Sequence, residues 1–356
     1  MSAAGHPQVR RVAFGRTILT LLMITTGVRS QDSSDQAPAL SQAEALRDSG
    51  RLQESASLYE RIIAADPGAW QPRYAVAQIY MSLRQYEAAE QQLLAAVLAS
   101  PSEPSPWARL GQVYLLRSDP EKAERALVRA REINPADPGV HYNLGKLFEK
   151  LGREPEALTE YVAFVEGAGS DPRAVGIRRR LIMYYDNTNQ PEKLLEQYKA
   201  LVLADPNSVR FHSGLGDALY KQSSYDEAYA EYLKVLAMDP NNAPAYYNVG
   251  FINKMKGNLE EAERALQRSD ALAPGSARTL YQLGAVQFER GDFAAAAASF
   301  EKVIGLEPDH PQAHYHYSRA LTKLGRTEEA RRELQLHQEI LKKMAEKTPP
   351  KTMERP

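Results

Sequence analysis

Apolar residues recur along this chain at three- and four-residue spacing, in runs long enough for helices and cut short by turn residues. The runs come in pairs. Within a pair the break is a short turn, as at Leu151-Gly152-Arg153 and Lys256-Gly257-Asn258. Between pairs it is a proline, which cannot continue a helix and pushes the residue before it out of helical geometry. These prolines are Pro67, Pro101, Pro135, Pro172, Pro206, Pro240, Pro274 and Pro308, spaced by 34 residues except for 37 between Pro135 and Pro172. Such a period predicts an all-α chain of helical hairpins, none able to bury its apolar face alone and each stacked on its neighbours.

Numbering each repeat from the third residue after its proline brings columns into register. Place 8 is small in nearly every repeat (Ala43, Ala77, Gly111, Gly145, Gly216, Gly250, Gly284, Ser318), and so is place 20 (Ser55, Ala89, Ala123, Ala157, Ala228, Ala262, Ala296, Ala330). Small residues there let the two backbones approach closely. Place 24 is aromatic or leucine throughout, for example Tyr59, Leu93, Tyr161, Tyr198, Tyr232 and Phe300.

This pattern resembles the tetratricopeptide repeat, as do the stretches "AYYNVGFINKMKGNLEEAERALQRSDALAPGS" and "SYDEAYAEYLKVLAMDPNN"; the resemblance covers nine repeats over residues 36–344. It implies an α-solenoid, a right-handed superhelix whose concave face is lined by each repeat's first helix at places 2, 5, 9, 12 and 13. Repeats one to four occupy 36–174 and repeats five to nine 175–344. Lys342 stands where a further proline would fall, so "EEARRELQLHQEILKKMAEK" reads as a long, polar-faced capping helix, before a disordered tail over 345–356.

The first thirty residues differ. Arg10, Arg11 and Arg16 precede the apolar run Ile18–Ile24, and Val28-Arg29-Ser30 offers small residues before Gln31. This reads as a secretory signal over 1–30 followed by a linker over 31–35, so the body of the chain is expected to be exported, periplasmic or extracellular. An uncleaved anchor facing outside is the alternative. The run is short of the roughly 20 apolar residues a bilayer span needs, and no transmembrane span is expected in the mature chain.

Net charge is −1, with no whole-chain field towards nucleic acid. The absence of cysteine excludes disulfides, thiolate metal sites, cysteine nucleophiles and lipid attachment at cysteine. The repeats use nearly all of the exported chain and leave no room for a catalytic domain; no phosphate loop, zinc spacing or nucleophile motif is present, and no cofactor is expected. His310, His314 and His316 cluster, but residues two apart on a helix point in roughly opposite directions, so no metal site is expected, and His314 reads as an aromatic-like packing residue. The Arg-Gly-Asp at 290–292 falls on a mid-repeat turn and is explained by turn chemistry. Glu121 before Arg125 and Glu260 before Arg264 read as i,i+4 pairs on a solvated face.

The groove positions implied by the resemblance carry the candidate binding residues. Place 5 gives a series of tyrosines that includes Tyr142, Tyr247, Tyr281 and Tyr315, either a scaffold feature or a ladder of rigid contacts for an extended peptide. From the fourth repeat onward the groove gathers Lys146, Lys150, Arg179, Arg210, Lys221, Lys254, Arg278, Arg319 and Lys323, against Glu149, Asp186, Asp217 and Glu289. That balance fits an acidic or carboxylate-bearing protein segment. The carboxylate clamp of some relatives pairs a basic place 5 with asparagine at place 9; Arg179 is followed by Met183 instead.

The stretch "VEGAGSDPRAVGIRRR" at 165–180 breaks the period. Gly167 and Gly169 can supply a left-handed helix cap, and the next repeat has Ile182 and Leu194 at the close-contact places. Two bulky residues there should splay the hairpin and make a joint between repeats four and five. The function expected is that of an exported, non-enzymatic scaffold binding a protein through its groove. The alternatives are a carbohydrate-binding or polysaccharide-export accessory and a non-catalytic module of an enzyme complex. The sequence names neither the partner nor the oligomeric state.

Overall fold

A computed structural model describes residues 33–347; the signal segment 1–30 and most of the expected tail lie outside the described residues. Among the described residues there are eighteen helices and no strand. The chain falls into two compact blocks that divide between Ser118 and Asp119, inside the third repeat, so residues 165–180 lie within the second block.

The first block holds α1 (Ser33–Asp48), α2 (Leu52–Ala65), α3 (Trp70–Ser82), α4 (Tyr86–Ala99) and α5 (Pro104–Leu116). The second opens with α6 (Pro120–Ile133), α7 (Pro138–Lys150), α8 (Glu154–Gly167), α9 (Arg173–Asn187), α10 (Pro191–Ala204) and α11 (Val209–Lys221). It continues through α12 (Tyr225–Met238), α13 (Ala243–Met255), α14 (Leu259–Leu272), α15 (Ala277–Arg290), α16 (Phe293–Leu306), α17 (Pro311–Lys323) and α18 (Thr327–Lys347). Within each block consecutive helices pack as hairpins and successive hairpins stack, an all-α solenoid arrangement.

Local chemistry explains the boundaries. Proline opens α6, α7, α10 and α17, where its missing N–H costs nothing. The Asp-Pro dipeptides between repeats are turns: Asp66, Asp205 and Asp239 each accept from the backbone N–H two residues on, at 3.1 to 3.2 Å. At the mid-repeat turn, place 15 takes the left-handed conformation in every repeat. Gly50, Gly152, Gly257, Gly291 and Gly325 supply it freely, whereas Arg84, Ser118, Asn189 and Ser223 adopt it with a side chain.

The core follows the columns. Ala89, Ala157, Ala228, Ala262 and Ala296 at place 20 are fully buried, with Leu93, Tyr161, Tyr232, Leu266 and Phe300 from place 24 beside them. A methyl group on Gly145 would come within 2.5 Å of the Tyr161 ring, and one on Gly216 or Gly284 within 2.7 Å of Tyr232 or 2.9 Å of Phe300. Place 8 is thus the seat of the ring at place 24. The last helix departs from expectation. It runs to Lys347, but its face is not polar throughout, since Leu334, Leu336, Leu341 and Met344 are exposed.

Candidate functional site

The irregular repeat is α9 and α10. Of the two glycines before it only Gly169 is left-handed (φ +54°); Gly167 stays in the last turn of α8, so the cap expected of both falls to one. Ile182 and Leu194 occupy the close-contact places, and the α9 and α10 backbones approach over fewer residues than the other hairpins of this block. With isoleucine in the seat, Tyr198 leans into the next repeat. A methyl on Gly214 would overlap its ring.

The three arginines of 178–180 go to three places. Arg178 turns inward and donates to the Val165 carbonyl (2.8 Å) at the end of α8 and to Gln197 (2.9 Å); burial pushes its guanidinium pKa down. Arg180 reaches back to α7 and pairs with Glu149. Arg179 projects into the groove, exposed, with no ion-pair partner among the described residues.

Two clefts open beside this repeat, one on either side of Ile182, Asp186 and Tyr198, which line both. The first, about 670 Å³, lies between α7, α9 and α11; Lys146, Arg179 and Arg210 line it together with Ile177, Met183 and Phe211. The second, about 690 Å³, lies between α11, α13 and α15 and takes in Lys221, Tyr247 and Arg278. Both are of the size that holds small ligands or side chains, roughly 300–1,000 Å³. The structure therefore brings six of the candidate residues into two adjoining clefts. Tyr142, Lys150, Lys254, Tyr281, Tyr315, Arg319 and Lys323 line neither.

The cations are not equivalent. Lys146 is held by Glu149 at 2.7 Å, and Lys221 by Asp186 at 2.6 Å. Partial burial would raise the Glu149 carboxyl, but hydrogen bonds from Lys146 and Tyr161 and the charge of Arg180 hold it below the usual carboxylate value. Arg210, like Arg179, is exposed in the first cleft and has no ion pair among the described residues. Lys254 stands 3.7 Å from Glu289 and donates to Gln282. Arg319 lies over Phe288 (4.7 Å to the ring centre), and Lys323 is 5.9 Å from that of Phe293.

The tyrosines do not form a bare ladder. Tyr247 is only 7% exposed, roofed by the Arg278 guanidinium 4.2 Å above its ring. Arg173 covers Tyr142 in the same way at 4.4 Å, and His310 stacks on Tyr281 at 5.3 Å. Only Tyr315 stands exposed, beside His337. Arg173 and Arg278 reach these rings from the first turn of the helix that opens the next hairpin, and His310 from the cap just before α17, contacts set by the stacking of hairpins.

The histidines have structural duties. His314 is buried with Nδ1 2.6 Å from Glu333 and Nε2 2.8 Å from the Pro308 carbonyl, a polar strut where a packing ring was expected. His141 repeats this with Glu160 and Pro135, and His212 with Glu231 and Pro206. His310 caps α17 by accepting from the Ala313 N–H, and among the described residues no cluster of acids and histidines is arranged to hold a metal. In the Arg-Gly-Asp turn Gly291 is left-handed, Asp292 caps α16 and Arg290 pairs with Glu263. Arg264 pairs with Glu261, three residues away, in place of Glu260.

Sequence reasoning missed Arg180, Tyr198, Gly214, Tyr220 and Asn248 as parts of the clefts. Gly214 carried a readable signal, since place 6 is glycine in that repeat alone.

Stacked helix hairpins with a groove along their first helices define a class, the helical-repeat interaction scaffolds. Models of the tetratricopeptide repeat match residues 46–112 and 287–343, 108–172 and 243–276, and a TPR repeat model matches 216–257. The chain belongs to the tetratricopeptide repeat family, whose members bind protein partners. Among solved structures it is similar to a crystal structure of MamA at 28% identity (46% of this chain, 95% of that one, TM-score 0.44). MamA from Desulfovibrio magneticus RS-1, residues 41 to the end, is 21% identical over 48% of this chain and 96% of that one, with TM-score 0.45. No curated protein sequence matches. Among the described residues no helix is long and apolar enough to cross a membrane.

Proposed function

We propose that this chain is an exported, non-catalytic scaffold that holds an extended acidic segment of another protein against the first helices of repeats four to eight. The observation that carries the reading is the pair Arg179 and Arg210, exposed in one cleft without ion-pair partners while the neighbouring carboxylates are already taken. A groove with unsatisfied cations attracts carboxylates and rejects cationic segments. Stacking of sugar rings would need open aromatic faces, and those of Tyr142, Tyr247 and Tyr281 are covered.

Export rests on the arginine-flanked apolar run at the N-terminus. Its test is fractionation of cells with N-terminal sequencing of the product; a chain recovered in the cytoplasm with residues 1–30 intact would refute it. Binding is tested by capture from an exocytoplasmic extract with the chain and with Arg179→Glu/Arg210→Glu as baits. The expected partner is held by the first, released by salt and lost by the second. Equal retention by both baits would move the binding surface off this groove.

A further inference from the structure

We infer that the irregular fifth repeat makes the first cleft a socket for one bulky apolar side chain flanked by carboxylates, so that the acidic segment is read by an anchor residue as well as by charge. The inference rests on the proposed function and narrows the ligand. In three regular hairpins of this block the ring at place 24 fills the seat at place 8, Tyr161 on Gly145, Tyr232 on Gly216 and Phe300 on Gly284, and closes the hairpin. In the fifth repeat Ile182 occupies the seat, the hairpin splays and Tyr198 tips over Gly214, becoming a partition between two clefts.

What that leaves on the near side is a strip of apolar side chains set among charged ones, with Glu149 and Asp186 already paired. Ile177, Ile182, Phe211 and the ring of Tyr198 line the cleft, and Met183, 68% exposed, stands in the groove position where related clamps use a polar residue. A methionine so exposed at the mouth of a cleft is a flexible apolar contact without a partner. Arg179 and Arg210 flank it on α9 and α11, free to meet carboxylates on either side of an inserted side chain. Charge complementarity fixes the flanks, and the apolar lining fixes the centre.

The test uses the full chain and labelled peptides followed by fluorescence anisotropy. One probe carries a phenylalanine with a pair of aspartates on each side. A second replaces the phenylalanine by alanine, and a third replaces every aspartate by asparagine. The first should bind about tenfold more tightly than the second, as burial of an aromatic side chain implies. Met183→Ser should shrink that ratio by weakening the phenylalanine probe more than the alanine probe. Equal binding of the phenylalanine and alanine probes would overturn the socket and leave the acidic-segment reading standing. If neither acidic probe binds better than the asparagine probe, the proposed function falls with it.

Discussion

The ring of Tyr198 lies over the backbone of Gly214 in the following repeat, so close that a methyl group there would overlap it. In three other hairpins of this block the ring at place 24 rests on the place 8 glycine of its own hairpin, Tyr161 on Gly145, Tyr232 on Gly216 and Phe300 on Gly284. Ile182 and Gly214 are therefore two halves of one exchange, in which bulk enters one position and leaves the other. Gly214→Ala should destabilise the chain by about 1–3 kcal/mol, the usual cost of overpacking. Ile182→Ala should reopen the seat, as in the first repeat where Ala43 and Tyr59 share one core, and relieve Gly214→Ala. A double-mutant cycle in denaturant should return a favourable coupling of about 1 kcal/mol or more. Strict additivity would show that Tyr198 does not move between the two seats.

Much of this fold was legible because proline, glycine and apolar spacing act locally: the hairpins, their turns and the seat columns are all read within one repeat. What escaped was pairing between elements. The columns showed that Ile182 was too large without showing that Gly214 made room for Tyr198. They showed tyrosines at place 5, but not that Arg173, Arg278 and His310, at the starts of the helices that follow, would cover them. Arg180 looked like its neighbours, yet it pairs with Glu149 on α7, a contact between helices of two hairpins.

A second pairing links place 4 to place 23. Histidine meets glutamate in three repeats (His141 and Glu160, His212 and Glu231, His314 and Glu333), whereas arginine meets glutamine in Arg73 with Gln92 and Arg178 with Gln197. The seventh repeat instead has Tyr246 at place 4 and Ala265 at place 23. Each imidazole stands between a carboxylate and a carbonyl, both of them acceptors. His212→Phe would leave Glu231 and the Pro206 carbonyl without that partner, at a cost of about 1–3 kcal/mol each. His212→Phe with Glu231→Ala copies the solution of the seventh repeat and should recover most of the loss in thermal melts. A double variant no better than the single would mean that the strut is not what His212 contributes.

Burial alone would raise the Glu231 carboxyl, but hydrogen bonds from Lys234 and His212 hold it below its ordinary value of 4.5. A carboxyl depressed in the folded state adds stability that is present above the unfolded value and lost as the pH falls through the folded one. Glu231→Gln should therefore destabilise the chain near neutrality and converge on the parent at strongly acidic pH. Parallel melting curves across that range would overturn the assignment.

Four of the mid-repeat turns hold a side chain in the left-handed conformation, at Arg84, Ser118, Asn189 and Ser223. That conformation strains residues other than glycine by roughly 1–2 kcal/mol, somewhat less for asparagine. Ser223 (φ 62°) is exposed, so replacing it tests the backbone with little change in packing. Ser223→Gly should stabilise by up to about 1 kcal/mol despite the greater freedom of glycine in the unfolded chain. Gly257→Ala, at φ 79° with open space around it, should destabilise by a similar amount. Both are read from denaturant midpoints, and opposite signs are required.

His316 sits among the rings of Tyr281, Phe300 and Tyr315, stacked on Phe300 at 5.7 Å. Burial is the main cause that pushes its imidazole below the ordinary value of 6.5, and the charges of Arg319 and Lys254 act in the same direction. As pH falls the unfolded chain takes up this proton first. The stability His316 contributes is therefore present above about pH 6.5 and lost as the pH drops through the lower value of the folded state. His316→Phe keeps an aromatic ring against Phe300 and removes the titration. Melting temperatures between about pH 7.5 and 5.5 should fall less for the variant than for the parent chain. Equal slopes would mean that the cage tolerates the charged ring, and that acid sensitivity at this end of the array has another source.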